Sequence, residues 1–241
     1  MIPRYVKTYK KIGETPLEAL KRLSLEMPEI KDLSMTYAGR LDPLAEGELL
    51  VLLGEECKKK DEYLGLDKEY EFEMLFGFKT DSYDLLGVAE KFDFNKQDVL
   101  NNLEKEIISR IGKFSQKYPP FSSKTVGGVP LFQKTKNGED YDAPEKDVEI
   151  YKAGFLGFKE IKGENLLSLI KEKMFLVSGD FRQEEIVKKW ENILSGEEEK
   201  YFLIAKAIIH CSSGTYVRSF VNDLSFPATT FSINRTKIFG V

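Results

Sequence analysis

The stretch that most constrains the fold lies between Lys68 and Phe78, where bulky apolar residues alternate with charged ones. The apolar positions are Tyr70, Phe72, Met74, Phe76 and Phe78. Because successive side chains of a β-strand point to opposite faces, this alternation predicts a strand with one aromatic, buried face. The chain must therefore build a sheet and cover at least one side of it.

The chain has the length and composition to do so. It contains 241 residues, of which 41% are hydrophobic, so it can bury a sizeable core as one large domain or as one domain with an insertion. It has only two cysteines, Cys57 and Cys211, and neither an N-terminal apolar signal nor an apolar run near the roughly 18 residues of a membrane span. These features predict a cytoplasmic protein in a reducing setting, with no membrane partner.

Helical and strand patterns alternate along the rest of the chain. Thr15, Pro16 and Glu18 form the capping signature of a helix start, and Asn95 caps a second helix that ends at Gly112. A short apolar run covers 48–53. Further strands are predicted over 148–158 and 201–211, a charged helix over 57–64, a polar turn over 77–87 and an inserted helical hairpin over 162–199. This order indicates a mixed α/β or α+β domain.

One carboxylate is distinguished by its setting. Asp42 lies between Arg40 and Pro43 in a segment bounded by Gly39 and Gly47, and a following proline disfavours helix at the aspartate. Two interpretations stay open on these residues alone. The carboxylate bonds to its own backbone in a turn, or a loop presents it for chemistry.

The charge pattern bears on RNA as a partner. The formal net charge of -4 argues mildly against RNA, but residues 113–136, which we call the basic segment, contain no acidic residue. Its cations and aromatic residues are Lys113, Lys117, Lys124, Lys134, Lys136, Tyr118, Phe121 and Phe132. Phosphates need cations and unstacked bases need flat side chains, so the basic segment predicts a local RNA-binding face; a solvated loop is the alternative.

The reactive side chains exclude several classes of site. The single histidine, His210, precedes Cys211 in a predicted strand, and neighbouring strand residues point to opposite faces, so the two are not expected to share a metal. A Ser-His-Asp triad would need His210 itself, and neither a nucleophile elbow nor a Gly-rich phosphate motif is present. We therefore expect no metal and no nucleotide cofactor, and carboxylate chemistry remains.

Residues 39–47 read Gly-Arg-Leu-Asp-Pro-Leu-Ala-Glu-Gly, which resembles the catalytic motif of the pseudouridine synthases. The Leu-Asp-Pro-Leu-Ala core is similar to the TruB type, which isomerises a T-loop uridine of tRNA. Further segments match that family in the same order, at residues 67–70, 80–87, 119–124 and 210–218. The resemblance covers nearly the whole chain apart from the predicted helical hairpin.

The resemblance implies an α+β fold with a mixed, mostly antiparallel sheet flanked by helices. Residues 1–241 would form the catalytic domain and residues 162–199 an insertion within it. The implied activity is a cofactor-independent isomerisation of uridine in tRNA. Asp42 would be the nucleophile or base, Arg218 would pair with it and hold it ionised, and Tyr70 would stack on a flipped-out base.

The resemblance also assigns substrate contacts. The residues implied to bind or orient RNA are Lys10, Tyr37, Arg40, Asp84, Lys124 and Tyr216. Two of them depart from the family pattern, because Tyr37 stands where a T-loop-stacking histidine is usual and Arg40 stands where a small residue is usual. We also expect a monomer that lacks the C-terminal RNA-binding domain typical of bacterial members.

Two other classes of protein compete with this interpretation. A non-catalytic RNA-binding or tRNA-folding module could keep the same cleft, but the joint presence of Asp42, Tyr70 and Arg218 argues against it. A glycoside hydrolase needs paired acids, and only Asp81 or Asp84 offers a second one.

Overall fold

A mainly antiparallel, eight-stranded sheet forms the centre of the computed structural model, which describes residues 3–241. The strands are β1 (Tyr5–Lys10), β2 (Met35–Ala38), β3 (Ala45–Leu53), β4 (Lys68–Phe76), β5 (Phe78–Thr80), β6 (Ala89–Lys91), β7 (Gly112–Lys117), β8 (Thr125–Val126), β9 (Val129–Pro130), β10 (Glu145–Lys162), β11 (Tyr201–Cys211) and β12 (Ala228–Ile238). The main sheet has the order β1-β3-β12-β4-β11-β10-β7, with β2 also paired to β3. Only the β12–β3 pair is parallel among the described residues, and β5–β6 and β8–β9 form separate hairpins.

Helices flank this sheet, which confirms the predicted α+β fold. The α-helices are α1 (Pro16–Glu26), α2 (Lys60–Leu64), α3 (Lys96–Ser109), α4 (Leu131–Lys136), α5 (Gly163–Leu176), α6 (Gln183–Leu194) and α7 (Val217–Asn222). The capping box predicted at Thr15 is present, with reciprocal hydrogen bonds between Thr15 and Glu18. Within residues 3–241, no helix combines the length and apolar character needed to cross a membrane.

The alternation in β4 places two kinds of side chain on opposite faces. Phe72 and Met74 are buried against α3 and α7, and the Phe72 ring meets Phe220 edge-on with 5.6 Å between centroids. On the other face, Glu73 pairs with Lys159 at 2.5 Å. The predicted aromatic, buried face is therefore confirmed.

The predicted strand is two residues too long at its end. Gly77 adopts φ 85°, a left-handed conformation that glycine tolerates, and its backbone turns the chain away from β4. Phe78 then begins β5 and enters a second core on the opposite side of the sheet. The polar turn predicted over 77–87 contains the short strand β5 and then turns, and its Thr80, Ser82 and Asp84 are buried.

Three other predicted boundaries shift. The helix predicted over 57–64 is a 3-10 helix at Gly54–Lys59 followed by the single turn of α2. The apolar run over 48–53 is part of the longer strand β3, and the strand predicted over 148–158 is longer, as β10. Strand ends extend because sheet pairing with neighbours continues past the apolar residues that mark a strand in sequence.

The segment 162–199 contains the helices α5 and α6, which cover the second face of the sheet. Leu166, Ile170, Ile186 and Trp190 are fully buried there. The Trp190 ring lies 5.0 Å from that of Phe78, between centroids. The two helices thus share one core with the sheet; the assignment of this segment as an insertion stays a prediction.

We expect Trp190→Ala to lower the free energy of unfolding by about 3–5 kcal/mol, because it opens a cavity in the second core. Phe175→Ala is the control on the same hairpin, since the Phe175 side chain is 90% exposed and should change stability by less than about 0.5 kcal/mol. Urea unfolding followed by circular dichroism measures both. Equal effects of the two variants would contradict the packing described here.

Candidate active site

Asp42 lies in the connection between β2 and β3, residues 39–44, which we call the Asp42 loop. Its backbone carbonyl accepts a hydrogen bond from the Ala45 amide at 3.1 Å, so the loop turns tightly into β3. Gly47 follows in β3 at φ 116°, where a Cβ atom would lie 2.4 Å from the Arg235 carbonyl oxygen. Only glycine allows β12 to approach this closely beside the loop.

Arg218, in the first turn of α7, is the partner of Asp42. Its Nε donates to Asp42 Oδ2 at 2.8 Å, one Nη donates to the Ser82 carbonyl at 2.7 Å, and the other donates to the Phe121 carbonyl at 3.1 Å. The Arg218 side chain is 3% exposed and that of Asp42 is 28% exposed. The guanidinium is therefore fixed inside the protein, while the carboxylate that it orients faces the surface.

Asp84 lies behind this pair. Its Oδ1 accepts hydrogen bonds from the Ser82 hydroxyl at 2.6 Å and from the Leu86 amide at 3.0 Å, and its Oδ2 lies 3.7 Å from Arg218 Nε. Burial raises the pKa of Asp84, and the Arg218 charge opposes that rise. Burial alone would lower the pKa of Arg218, but the two carboxylates outweigh it and raise that pKa. The three groups form one coupled charge cluster.

The backbone beside Asp84 is strained. Tyr83 adopts φ 67°, which is rare for a bulky residue. The strain is held by β12, because the Thr230 amide donates to the Tyr83 carbonyl at 3.0 Å and Asp84 forms a bridge to Thr230. This pairing sets the position from which Asp84 reaches Arg218.

Two tyrosines approach Asp42 from other elements. Tyr70 is partly buried on β4, and Tyr216 immediately precedes α7. Burial raises the pKa of both phenols, to about 12 for Tyr216, and the Asp42 charge adds to both rises. The buried Gln116 exchanges two hydrogen bonds with the Tyr216 backbone, at 2.8 and 3.1 Å. Asp42 and Arg218 are thus joined by a hydrogen bond, and the charge of Asp42 acts on both tyrosines.

Tyr37, Arg40 and Lys124 lie at the rim of this cluster. Arg40 donates to the Ser123 hydroxyl at 2.6 Å and to the Tyr37 hydroxyl at 3.3 Å. Lys124 Nζ lies 5.2 Å above the centre of the Tyr118 ring. Arg40 therefore connects the Asp42 loop to the basic segment through Ser123.

Lys10 requires a correction. The sequence predicts that it contacts substrate, but the structure buries it completely. Its ammonium donates to the Ala45 carbonyl at 2.6 Å and to the Pro43 carbonyl at 3.3 Å, and burial lowers its pKa to about 8. Lys10 therefore supports the Asp42 loop from inside, because pairing of β1 with β3 encloses it.

Sequence reasoning missed Arg235. It is 1% exposed, and it donates to the Gly39 carbonyl at 3.0 Å and to the Glu48 carbonyl at 2.7 Å. It holds the start of the Asp42 loop as Lys10 holds its end. No local signal could have found it, because its burial comes from the parallel pairing of β12 with β3, which is remote in sequence.

The basic segment is less positive in the structure than in the sequence. Lys113 lies 3.9 Å from Glu149, Lys134 lies 2.9 Å from Glu139 and Lys136 lies 2.5 Å from Asp180. These acids come from outside the segment, so they could not be paired with it by sequence alone. The segment folds as β7, the β8–β9 hairpin and α4.

No group of three or more His, Cys, Asp or Glu side chains within residues 3–241 has the arrangement of a metal site. His210 stacks on Phe239 with 4.1 Å between ring centroids. The cluster around Asp42 therefore offers a carboxylate, a guanidinium and two phenols as its chemical groups.

This fold is shared with a solved protein, and the chain matches the model of a known family. The chain matches "Crystal Structure of a Cbf5-Nop10-Gar1 Complex" with a TM-score of 0.54 and 16% identity, over 97% of this chain and 48% of that one. The N-terminal domain model of the TruB family of pseudouridylate synthases matches residues 29–177. The chain therefore belongs to the TruB pseudouridylate synthase family, which confirms the predicted membership.

Curated relatives carry one name. A tRNA pseudouridine synthase B of Borreliella afzelii (strain PKo) is 28% identical over 209 residues, covering 84% of this chain and 58% of that protein. One of Blochmanniella pennsylvanica (strain BPEN) is 31% identical over 189 residues, covering 78% of this chain and 56% of that protein. One of Chloroherpeton thalassium is 36% identical over 126 residues, covering 51% of this chain and 52% of that protein. The chain spans about half to three fifths of the length of these relatives.

The burial of Lys10 predicts a pH effect on stability. Its folded pKa of about 8 lies below the ordinary lysine pKa of 10.5, so between these values the unfolded chain holds a proton that the folded chain has lost. The free energy of unfolding should therefore rise with pH across this window, and this contribution is lost as pH falls through about 8. Urea unfolding measured across the window from about pH 8 to about pH 10.5 should show a smaller rise in the free energy of unfolding in Lys10→Met than in the wild type.

Part of the rise in unfolding free energy with pH should persist in Lys10→Met, because burial also lowers the pKa of Lys68 and of Lys173 to about 8. Lys7→Met, on the same strand with its ammonium 3.3 Å from Glu48, is the control for loss of a surface lysine. An identical rise in Lys10→Met and the wild type would show that Lys10 does not titrate as described.

Proposed function

We propose that this chain is a pseudouridine synthase that isomerises a uridine in the T-loop of tRNA. The observation that carries the proposal is the ion pair between Asp42 and Arg218, in which a buried guanidinium orients a partly exposed carboxylate. Membership of the family and the name shared by its relatives support the reaction class and tRNA as the substrate. The predicted alternative, a non-catalytic RNA-binding module, is an outcome of the test below.

The reaction breaks the bond between uracil N1 and ribose C1′ and joins C5 to C1′, so no atom is gained or lost overall. It needs a carboxylate at the sugar, an extruded base and an enclosure that keeps the free base in place. Arg218 donates its hydrogen bond to Asp42 Oδ2, and Asp42 Oδ1 accepts no hydrogen bond from any residue within 3–241. Oδ1 is the atom that we assign to the substrate, either as nucleophile at C1′ or as base at C2′.

The other predicted residues receive roles that fit their positions. Tyr70 would pack on the target base near C5, and its phenol, which is protonated at neutral pH, can donate a hydrogen bond. Tyr216 would close the pocket beside it. Asp84 would position Arg218 and not contact RNA, because it is buried.

The rim would bind the RNA around the target nucleotide. Tyr37 offers a stacking surface, and Arg40 and Lys124 offer cations to the phosphates. The proposed site of action is the cytoplasm, as the sequence predicts. The monomeric state stays a prediction.

Asp42→Asn should abolish conversion of uridine, by at least about 10³-fold in rate, while RNA binding stays within about twofold of the wild type. The asparagine side chain has the size of aspartate and keeps one oxygen that can accept a hydrogen bond from Arg218, but it is neither a nucleophile nor a base. Carbodiimide mapping of pseudouridine in a tRNA transcript measures conversion, and filter binding measures affinity. Asp93→Asn, a change at an exposed aspartate, is the control.

The same mapping applied to wild-type protein and total RNA decides between the two classes of function. A folded protein that binds tRNA but leaves every uridine unmodified would sink the catalytic proposal and favour the binding module.

Arg218→Lys should slow conversion far more than it weakens RNA binding. Lysine keeps the buried positive charge, but it cannot donate to Asp42, Ser82 and Phe121 together as the planar guanidinium does. We expect a loss of about 10²-fold in single-turnover rate, in line with the cost of misplacing a catalytic group by about 1 Å. A variant with the wild-type rate would show that Arg218 does not orient Asp42.

A further inference from the structure

The loop between α5 and α6 contains a residue in a strained conformation. Arg182, which directly precedes α6, adopts φ 62° and ψ 30°. Left-handed backbone is uncommon outside glycine, asparagine and aspartate, and it persists only where surrounding contacts enforce it. The contacts of the Arg182 side chain identify what enforces it here.

The Arg182 guanidinium grips two segments at once. Its two Nη atoms donate to the two carboxylate oxygens of Asp81, at 2.8 and 3.2 Å. Its planar face also lies over the Phe121 ring, with 4.7 Å between the guanidinium carbon and the ring centroid. Paired hydrogen bonds and stacking together need the fork shape of arginine, which lysine lacks.

The two gripped segments are the ones that hold Arg218. Arg218 donates to the Ser82 carbonyl, one residue after Asp81, and to the Phe121 carbonyl, in the residue whose ring Arg182 covers. Arg218 bridges the Ser82 and Phe121 carbonyls in the protein interior. Arg182, nearer the surface, joins the same two segments and therefore fixes the distance between these carbonyls.

The loop that carries Arg182 is itself anchored. Gln183 Nε2 donates to the Val177 carbonyl at 3.0 Å and to the Gly179 carbonyl at 2.7 Å, which closes the loop on itself. Asp180 pairs with Lys136 of α4 at 2.5 Å. The loop thus contacts the basic segment at Lys136 and at Phe121, and these contacts hold the backbone of Arg182 in place.

We propose that Arg182 is a positioning residue, which sets Arg218 and through it Asp42 by clamping the Asp81 turn to the basic segment. This proposal rests on the proposed pseudouridine synthase function. It assigns the α5–α6 loop a part in the reaction geometry, and it requires that Arg182 act without contacting the RNA.

The first test separates rate from affinity. We expect Arg182→Ala to lower the single-turnover rate of conversion by about 10- to 100-fold, since small displacements of catalytic groups have costs of that size, with RNA Kd within about twofold of the wild type. Arg182→Lys should be impaired nearly as much. Asp81→Ala should match Arg182→Ala, and the double variant should lose no more than either single one.

The second test needs no activity. In protein without RNA, lysyl endopeptidase should cut after Lys124 faster in Arg182→Ala and in Asp81→Ala than in the wild type, because the basic segment is released; mass spectrometry identifies the site. Glu191→Ala is the matched control. It removes a 2.6 Å ion pair with Lys171 inside the same hairpin and should change neither readout.

Three results would overturn the proposal: weaker RNA binding at an unchanged rate, rescue by Arg182→Lys, or unchanged rate and proteolysis in Arg182→Ala. The first two would make Arg182 a cation for phosphate. If the wild type converts no uridine, the proposed function is wrong, while the proteolysis still decides whether Arg182 holds the basic segment.

Discussion

The buried guanidinium of Arg218 is the contact on which the site depends. It joins three stretches that are far apart in the chain, at Asp42, Ser82 and Phe121, and each is held through a different N–H group. A buried charge is costly unless hydrogen bonds and an opposite charge compensate it. Because all three partners are needed for that compensation, the Asp42 loop, the strained turn before Asp84 and the basic segment cannot take up independent positions.

The Asp42 loop is held from two further directions. Lys10 and Arg235, both buried, donate to carbonyls at its end and its start. Leu41 enters the core beneath α3 and α7, whereas Leu44 enters the core beneath α5 and α6. The carboxylate between them lies where the chain crosses from one side of the sheet to the other. In the proposed reaction, such redundant support would keep the carboxylate in place without reorganisation, which is what electrostatic catalysis requires.

Local sequence patterns predicted the elements of this fold better than its charges. The alternation in β4 and the capping box at Thr15 are decided by residues a few positions apart, and both are present. The pairing of Asp42 with Arg218 was accessible only through the family motif. The burial of Lys10 and Arg235 was not accessible, because it arises when β1 and β12 flank β3, a consequence of topology that no short stretch encodes.

The helices α5 and α6 show how a segment outside the family motifs can still govern the site. The core residues of the two helices, among them Trp190, pack against the second face of the sheet. This packing fixes both ends of the loop between the helices. A strained backbone at Arg182 is stable only because this support and the contacts with Asp81 and Phe121 act together. In the proposed role of Arg182, the geometry around Arg218 depends partly on the core beneath α5 and α6, and a change in that core would reach Asp42 without touching any motif residue.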